Sequence, residues 1–251
     1  MIKYFGFVDL LKHFLYETVS KTLFRNGVNR EINGYAIRFP LEFSRFYPSN
    51  SEPEKFEFIR RFAKGNALDL GAHIGLYSVL LARQCESVLC FEPSNLTRVA
   101  LLKTLEYNNC KNVEVRSECV TDETGEIDFY DTGSRASNAN SIAPIGKRLT
   151  LKSVRIDDLN KDFDFIKIDI EGAELLALRG AKRTLKKVSH LTCEIHPNLL
   201  EKIGQSSTDI FDFLSQYNPK YFYDGRLVVP SDLQPLSHQY ELNIILNQRS
   251  V

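Results

Sequence analysis

The sequence lacks the features that mark several specialised classes of protein. It carries no net charge, because 32 lysine and arginine residues balance 32 aspartate and glutamate residues, and this balance argues against a protein held on nucleic acid by bulk charge. Its five cysteines include no C-x-x-C pair, which favours free thiols over disulfides or a structural zinc site. No apolar run approaches the roughly 18 residues of a membrane-spanning helix. We therefore expect a cytoplasmic protein with no nucleic-acid partner and no transmembrane segment.

The first fifty residues carry an amphipathic pattern but no catalytic motif. Apolar side chains recur at helical spacing over residues 3–25, and Asn26-Gly27 follows as a stop signal. Such a helix can pack on the main domain, support a homodimer or cover the substrate. The apolar start is not followed by the small-residue cleavage site of a signal peptide. We expect an N-terminal helical or cap segment over residues 1–50, and one domain over residues 51–251.

From residue 51 onward, strand and helix signals alternate. Ser51 and Glu54 match the S-x-x-E capping box and predict the start of a helix. Strands are predicted at 67–69, 88–92, 113–117, 163–169 and 191–196, with helices at 76–84, 93–108, 174–187 and 208–217. Two inserted strands are predicted at 125–131 and 150–156. The alternation indicates an α/β, Rossmann-like fold with a mostly parallel sheet, and a hairpin at Asp224-Gly225 plus a strand at 242–246 predict an antiparallel C-terminal edge.

The sharpest motif is Leu68-Asp-Leu-Gly-Ala-His-Ile-Gly75, between a predicted strand and a predicted helix. Gly71 permits a tight turn and close approach of a ligand, and Gly75 lets the helix pack near the sheet. A dinucleotide dehydrogenase would carry G-x-G-x-x-G here. This chain has G-x-x-x-G instead, preceded by Asp69, which repels a pyrophosphate and attracts an amine. The loop therefore predicts S-adenosylmethionine as the cofactor rather than NAD.

Further cofactor contacts are expected beside this loop. Glu92 ends the next strand, followed by Pro93, at the place where an acid accepts hydrogen bonds from both ribose hydroxyls. His73 can touch the cofactor carboxylate. Glu118 and Cys119 end the third strand, near the expected place of the adenine ring. The alternative is that these residues only cap helices of some other Rossmann-like domain.

Two polar clusters follow later strands. One is Lys167-Ile-Asp-Ile-Glu-Gly-Ala-Glu174 and the other is Glu194-Ile-His196. Because carboxyl ends of parallel strands meet at one edge of a sheet, Asp169, Glu171, Glu194 and His196 are expected to converge there. They can supply a general base for a hydroxyl. Alternatively, Asp169, Glu194 and His196 can hold a divalent cation that lowers the pKa of that hydroxyl, and Glu174 is expected only to cap a helix.

These motifs together resemble the FkbM-family methyltransferases, which are class I enzymes with a Rossmann-like sheet. The resemblance covers about residues 51–247 and is most specific at Phe165-Ile-Lys-Ile-Asp-Ile-Glu-Gly-Ala-Glu174. It implies that Glu52 reaches the cofactor, and the family usually has Asn where His73 stands. The implied cofactor site is Glu52, Asp69, Gly71, Ala72, His73, Gly75, Tyr77, Ser78, Glu92, Pro93, Glu118 and Cys119.

The resemblance implies O-methylation of a hydroxyl, on a sugar, a glycan or a glycosylated natural product. Asp169, Glu171 and His196 of the two polar clusters are then the expected catalytic residues. The polar stretch 132–147 can meet such an acceptor or can be a surface loop. A non-sugar secondary metabolite is the alternative acceptor, and a non-catalytic cofactor-binding protein is the alternative function. A nucleic-acid methyltransferase is disfavoured by the neutral charge and by the lack of an N/D-P-P-Y-type motif.

Overall fold

The structure, a computed structural model, describes residues 22–132, 140–233 and 236–246. A central sheet of eight strands has the order β12-β11-β13-β10-β9-β3-β4-β5, beside a hairpin of β1 and β2 and a small sheet of order β6-β8-β7. The strands are β1 Val28–Ile32, β2 Tyr35–Phe39, β3 Asn66–Leu70, β4 Ser87–Phe91, β5 Val113–Arg116, β6 Cys119–Val120, β7 Gly125–Asp131, β8 Lys147–Val154, β9 Phe165–Ile168, β10 His190–Ile195, β11 Lys220–Tyr223, β12 Arg226–Val228 and β13 Tyr240–Ile245.

Helices cover both faces of the central sheet. The α-helices are α1 Pro53–Phe62, α2 Leu76–Ala82, α3 Asn95–Tyr107, α4 Glu174–Arg179, α5 Pro197–Lys202, α6 Ser207–Ser215 and α7 Pro230–Leu233. Residues of α1, α2 and α3 share one buried cluster with Ala67 and Val88, whereas residues of α4 and α6 share another with Leu68 and Leu89. Because successive side chains of a strand point to opposite faces, each central strand feeds both clusters. Among the described residues, no helix is long and apolar enough to cross a membrane.

The sheet is mostly parallel, as the sequence predicts. β5, β4, β3, β9 and β10 run parallel in that order, so their carboxyl ends meet along one edge. β13 pairs antiparallel with both β10 and β11. The Asp224-Gly225 hairpin is confirmed between β11 and β12, and both turn residues have a positive φ, of 48° and 70°. The strand β1 and the short helix α5 were not predicted.

Two local predictions are wrong. The capping box does not form, since Glu52 is the N-cap of α1 and no side chain caps the helix. The predicted helix 174–187 is split into α4 and a 3-10 helix, Thr184–Lys186. Gly180 lies between them, and a Cβ there would stand 2.2 Å from the Thr121 carbonyl oxygen. The Asp157 carboxylate then accepts the N–H groups of Arg183 and Thr184, so a new turn begins.

The N-terminal hairpin packs directly against the sheet domain. Ile32, Ile37 and Phe39 belong to the same buried cluster as Phe56 of α1 and Leu80 of α2. Within the described residues, the expected division at residue 50 therefore falls inside one hydrophobic core. Most of the predicted helix at 3–25 lies outside the described residues.

Candidate active site

A cavity of about 670 Å³ opens at the carboxyl edge of the central strands. Its wall comes from the start of α1, the loop after β3, and the ends of β4, β9, β10 and β13. Most of the residues predicted for the site line it. They are Glu52, Gly71, Ala72, His73, Tyr77, Glu92, Pro93, Asp169, Glu171 and Glu194.

The other predicted residues stand behind this lining. Asp69 is fully buried and accepts a hydrogen bond of 2.6 Å from the Ser78 hydroxyl. Lys167, which does line the cavity, lies 3.4 Å from both the Asp69 and the Asp169 carboxylates. Lys167 is thus the cation beside Asp69 in this structure, and direct contact between Asp69 and a cofactor amine stays a prediction.

Gly75, Glu118, Cys119 and His196 also lie outside the lining. Gly75 is the N-cap of α2, in a left-handed conformation with φ 94°. The Glu118 carboxylate pairs with Arg116, and Cys119 is buried. None of these four residues lines the cavity, and the Glu118 carboxylate is engaged by Arg116, two residues before it.

The loop after β3 depends on a glycine at position 71. Gly71 has φ 74°, and a Cβ there would lie 1.7 Å from the carbonyl oxygen of Asp169. The N–H groups of Gly71 and Ala72 both donate to the carbonyl of Phe91, at 3.0 Å. The loop is therefore clamped between the ends of β9 and β4, and it presents its main chain to the cavity.

Three residues of the lining that are neither glycine, asparagine nor aspartate hold a left-handed backbone conformation. Glu52, His73 and Glu171 have positive φ values of 41°, 49° and 53°. Among the described residues, every other non-glycine residue with positive φ is an asparagine or aspartate, the types that tolerate this region best. Backbone strain of this kind concentrates at functional sites. Asparagine, expected at position 73 from the family that the sequence resembles, suits the same conformation.

The end of the cavity near β4, which we call the nucleotide end after the cofactor predicted from the sequence, is lined by Gly71, Ala72, His73, Glu92 and Pro93. One Glu92 oxygen accepts the His73 N–H at 2.8 Å, and the other accepts from the Thr97 hydroxyl and the Ser94 N–H. Burial raises the pKa of Glu92 despite these hydrogen bonds. The network holds the carboxylate at the cavity wall with lone pairs left to accept further donors.

His73 is neutral and has one ring nitrogen without a partner. Burial lowers the pKa of His73 to about 4. Its Nδ1 lies 3.2 Å from the Tyr47 hydroxyl, whereas its buried Nε2 has no hydrogen-bond partner. If the Tyr47 hydroxyl donates to Nδ1, Nε2 carries the proton and is an unused donor. A buried donor without a partner costs free energy, so a bound ligand that accepts this hydrogen bond would offset that cost.

The predicted catalytic residues form one cluster, in which Asp169 and Glu171 line the cavity and His196 does not. Ligand atoms of Asp169, Glu171 and His196 lie within 4.8 Å of one another. His196 Nε2 is 3.3 Å from Glu171, and His196 Nδ1 is 2.7 Å from Glu174, which is fully buried. Glu174 also accepts the Gly172 N–H at 2.9 Å. Glu174 is therefore more than the helix cap expected from sequence, since it fixes the His196 ring.

Charges in this cluster set clear protonation states. Burial alone would lower the pKa of His196, but the carboxylates of Glu174, Glu171 and Asp169 together outweigh it and raise that pKa to about 10. Burial raises the pKa of Glu171 to about 8, although the His196 cation opposes the rise. Burial acts in the same direction on Asp169, but Lys167 and Lys55 hold the Asp169 pKa well below its usual value. His196 is thus a cation, Asp169 is an anion, and Glu171 can exchange a proton near neutral pH.

A second cluster was not predicted from the sequence. Lys55 of α1 is 1% exposed and lies 2.6 Å from Glu241, 2.7 Å from Glu52 and 3.4 Å from Glu194. Burial tends to lower the pKa of Lys55, but these carboxylates and Tyr77 raise it well above its usual value. Lys55 is therefore a fixed positive charge that holds three elements of the cavity wall together.

The predicted metal set is not brought together as a coordination cluster. Glu194 groups with Glu52 and Glu241 around Lys55, whereas Asp169 and His196 group with Glu171. The residues do not fit a resident cation well, because the Lys55 ammonium already sits among one carboxylate group. In the other group, His196 would have to lose a proton held with a pKa of about 10.

Comparison with known proteins identifies the family. The family model of the methyltransferase FkbM domain matches residues 69–221, more than half of the chain. The hexuronic acid methyltransferase AglP of Haloferax volcanii is 24% identical over 203 residues, which are 76% of this chain and 81% of that protein.

Among solved structures, the FkbM methyltransferase of Methylobacillus flagellatus KT has a TM-score of 0.47 and 21% identity over 71% of this chain. This chain spans only 43% of that protein's length. SMU.1697c of Streptococcus mutans, solved in complex with SAH, has a TM-score of 0.48 and 10% identity over 80% of this chain and 99% of that one. From the match over residues 69–221, the chain belongs to the FkbM family of methyltransferases.

Proposed function

We propose that this methyltransferase uses S-adenosylmethionine to methylate a hydroxyl group of a sugar. The observation that carries the proposal is the cavity itself, in which a main-chain loop and the Glu92 carboxylate face one end while Asp169 and Glu171 stand at the centre. A Rossmann-like sheet binds its ligands at this edge, and the site combines a cofactor cradle with a group that can take a proton.

The nucleotide end has the donors and acceptors that the proposed cofactor needs. Glu92 would accept hydrogen bonds from the ribose hydroxyls, and the unpartnered Nε2–H of His73 would donate to the ligand. Gly71 and Ala72 allow close approach of the ligand to the main chain. When bound, the cofactor supplies an electrophilic methyl group for a single in-line transfer.

The residues at the centre would orient the acceptor and receive its proton. Glu171 carries a pKa of about 8, so its ionised form is a stronger base than an ordinary carboxylate and is still populated near neutral pH. Asp169 stays ionised beside Lys167 and accepts a hydrogen bond from the acceptor without taking the proton. His196 acts through Glu171 as a positioning residue, because a cation cannot serve as the base.

A sugar acceptor is supported by the relative and by the lining. The Haloferax volcanii relative is named for a hexuronic acid, and the wall of this cavity is rich in carboxylate and amide oxygens. Such oxygens pair with the several hydroxyl groups of a sugar. The acceptor oxygen then loses its proton to Glu171 while the new bond to carbon forms, so one proton passes to the protein for each methyl group transferred.

Calorimetric titration with S-adenosylhomocysteine, with NAD as the control ligand, tests the cofactor. We expect micromolar binding of the former alone, weakened at least about tenfold in Glu92→Gln and unchanged in Glu106→Gln, an exposed residue of α3. Binding of NAD, or no binding by the folded wild type, would overturn the proposal.

Turnover tests the role of Glu171. In Glu171→Gln we expect methyl transfer to fall roughly a hundredfold or more, as for loss of a general base, while S-adenosylhomocysteine still binds. Glu201→Gln, exposed on α5, is the matched control. EDTA should leave the rate unchanged. A full loss of activity in EDTA, restored by added metal, would show that a metal ion rather than Glu171 activates the hydroxyl.

A further inference from the structure

The cavity carries a surplus of negative charge. Two lysines, Lys55 and Lys167, are the basic side chains of the lining among the described residues. Opposite them stand eight acidic side chains, which are Glu52, Glu54, Glu92, Asp169, Glu171, Glu194, Asp224 and Glu241. The pKa values of Glu171 and Glu241, about 8, leave these two largely protonated at neutral pH. The other six acidic side chains still outnumber the two lysines, so the cavity is electronegative.

Neither lysine is available to a ligand. Lys55 is surrounded by three carboxylates within 3.4 Å and is 1% exposed. Lys167 is 2% exposed, donates to the carbonyls of Gly71 at 2.8 Å and Leu70 at 3.3 Å, and lies 3.4 Å from two aspartates. Because both ammonium groups are already paired with oxygen, an incoming anion finds no free cation to replace its lost hydration.

The surplus is concentrated away from the nucleotide end, in a part of the wall that we call the acceptor end. It is lined by Glu194, Tyr223, Asp224, Gln239 and Glu241. Gln239 already donates its amide N–H to Glu194 at 3.1 Å, so the remaining polar atoms mainly accept hydrogen bonds. This surface suits ligand groups that donate.

A buried acceptor without a partner points the same way. Asn243 lies two residues beyond Glu241 on β13, so both side chains face the cavity. Its residue is 5% exposed, and its Oδ1 has no hydrogen-bond partner. A hydroxyl or an ammonium group can satisfy this oxygen, whereas a carboxylate offers no proton and meets several like charges.

Building on the proposed methyl transfer to a sugar, we propose that the acceptor presents hydroxyl or amine groups, and no carboxylate or phosphate, to the acceptor end. The negative charge of the wall repels uronic acids, so specificity comes from excluding the wrong acceptor rather than from attracting the right one. The chain then differs from its Haloferax volcanii relative, which is named for a hexuronic acid, in the charge of the acceptor.

Saturation-transfer NMR on the full chain, saturated with S-adenosylhomocysteine, tests the proposal. The ligands are the amino, neutral and uronic acid members of the gluco, galacto and manno series, at equal concentration and neutral pH. We expect signals from amino or neutral members, with the uronic acid of the same series at least about tenfold weaker. An equal or stronger uronic acid signal, or no signal from any amino or neutral sugar, would overturn the proposal.

Failure of the proposed function is distinguishable, because S-adenosylhomocysteine binding is measured first and without any sugar. Substitutions then test the charge itself. Glu194→Gln should raise the ratio of uronic acid to neutral signal about threefold or more. Asp224→Asn should raise it less, since Asp224 is exposed at the rim and asparagine tolerates its φ of 48°.

The matched control is Asp162→Asn. Asp162 is 74% exposed and precedes β9 at the opposite edge of the sheet, so its charge lies far from the acceptor end. The selectivity ratio should stay at its wild-type value in this variant. An unchanged ratio in Glu194→Gln, with wild-type binding of S-adenosylhomocysteine, would show that charge does not select the acceptor.

Discussion

The two ends of the cavity differ in whether main chain or side chains form them. The nucleotide end is mainly backbone, placed by the clamp of Gly71 between β9 and β4. The acceptor end is made of polar side chains from β10, β11, β13 and the turn at Asp224. Two of them, Glu194 and Glu241, are placed by Lys55 of α1. Steric contacts thus fix the shape of the nucleotide end, whereas ion pairs fix the positions of side chains at the acceptor end.

The two ends should therefore fail in different ways. A collision between atoms does not depend on pH or salt, whereas a charge imbalance depends on both. Substitutions at the nucleotide end should lose stability under all conditions. Removal of Lys55, which pairs with carboxylates of the acceptor end, should lower the free energy of unfolding most at pH values where those carboxylates are ionised.

The largest effect is expected at Gly71. Gly71→Ala should lower the free energy of unfolding by roughly 4 kcal/mol or more, or prevent folding, because the new Cβ meets backbone. Gly225→Ala is the matched control, since Gly225 has φ 70° but no atom within 4 Å of the place that a Cβ would take, and should lose about 1 kcal/mol. Urea denaturation measures both, and equal losses would contradict the steric account.

A smaller effect is expected at Lys55. Lys55→Met leaves buried carboxylates without a counter-ion and should cost about 3–5 kcal/mol. Lys161→Met removes an exposed ion pair with Glu114, whose side chains are 52% and 55% exposed, and should cost less than about 1 kcal/mol. Denaturant titrations on the two variants make the comparison.

The Lys55→Met loss should also grow with pH. Burial raises the pKa of Glu241 to about 8 even though Lys55 opposes the rise, so without Lys55 that pKa rises further. A carboxyl group whose pKa is higher in the folded than in the unfolded state makes the folded protein less stable as pH rises, because the unfolded chain gives up its proton first. The loss should be larger at about pH 9 than at about pH 6, and a pH-independent loss would argue for packing rather than charge.

The smallest effect concerns Glu174, which lies behind the centre of the cavity. The wild-type rate should rise through about pH 8, as Glu171 loses its proton. Glu174→Gln should lower the His196 pKa from about 10, because it removes the carboxylate hydrogen-bonded to Nδ1. The rise in rate should move by only a fraction of a unit, because Glu174 itself raises the Glu171 pKa while the His196 cation lowers it, so the two changes oppose each other.

NMR titration of the His196 ring and a pH–rate profile measure the two shifts in Glu174→Gln. Glu201→Gln should change neither. A His196 pKa that stays at its wild-type value would show that Glu174 does not control the charge of that ring, whatever happens to the rate.

The nucleotide end could be predicted because its parts are contiguous in the sequence. The segment 68–75 contains the strand end, the tight turn and the start of α2, and Glu92 follows at the end of the next strand. Steric rules for glycine act over a few residues, so the motif already contains the information. The mostly parallel sheet was predictable for the same reason, since each strand and helix has its own local pattern.

The charge balance could not be predicted, because it depends on partners distant in sequence. Lys55 meets Glu241 only after α1 packs beside β13, and Asp69 meets Lys167 because β3 and β9 are neighbours in that register. The sequence identified Asp69 and His196 as important residues but gave them incomplete roles. Lys167 lies 3.4 Å from Asp69, and Glu174, together with Glu171 and Asp169, raises the pKa of His196 to about 10.

On the proposed function, the surplus of carboxylates also bears on product inhibition. S-adenosylmethionine enters with a sulfonium cation and leaves as a neutral thioether, so each turnover removes one positive charge from a cavity with eight acidic side chains. The spent cofactor should bind more weakly than the fresh one, by a ratio that shrinks as salt is added, and a tighter-binding spent cofactor would rule this out. The same charges that restrict the acceptor would then help to clear the site for the next cycle.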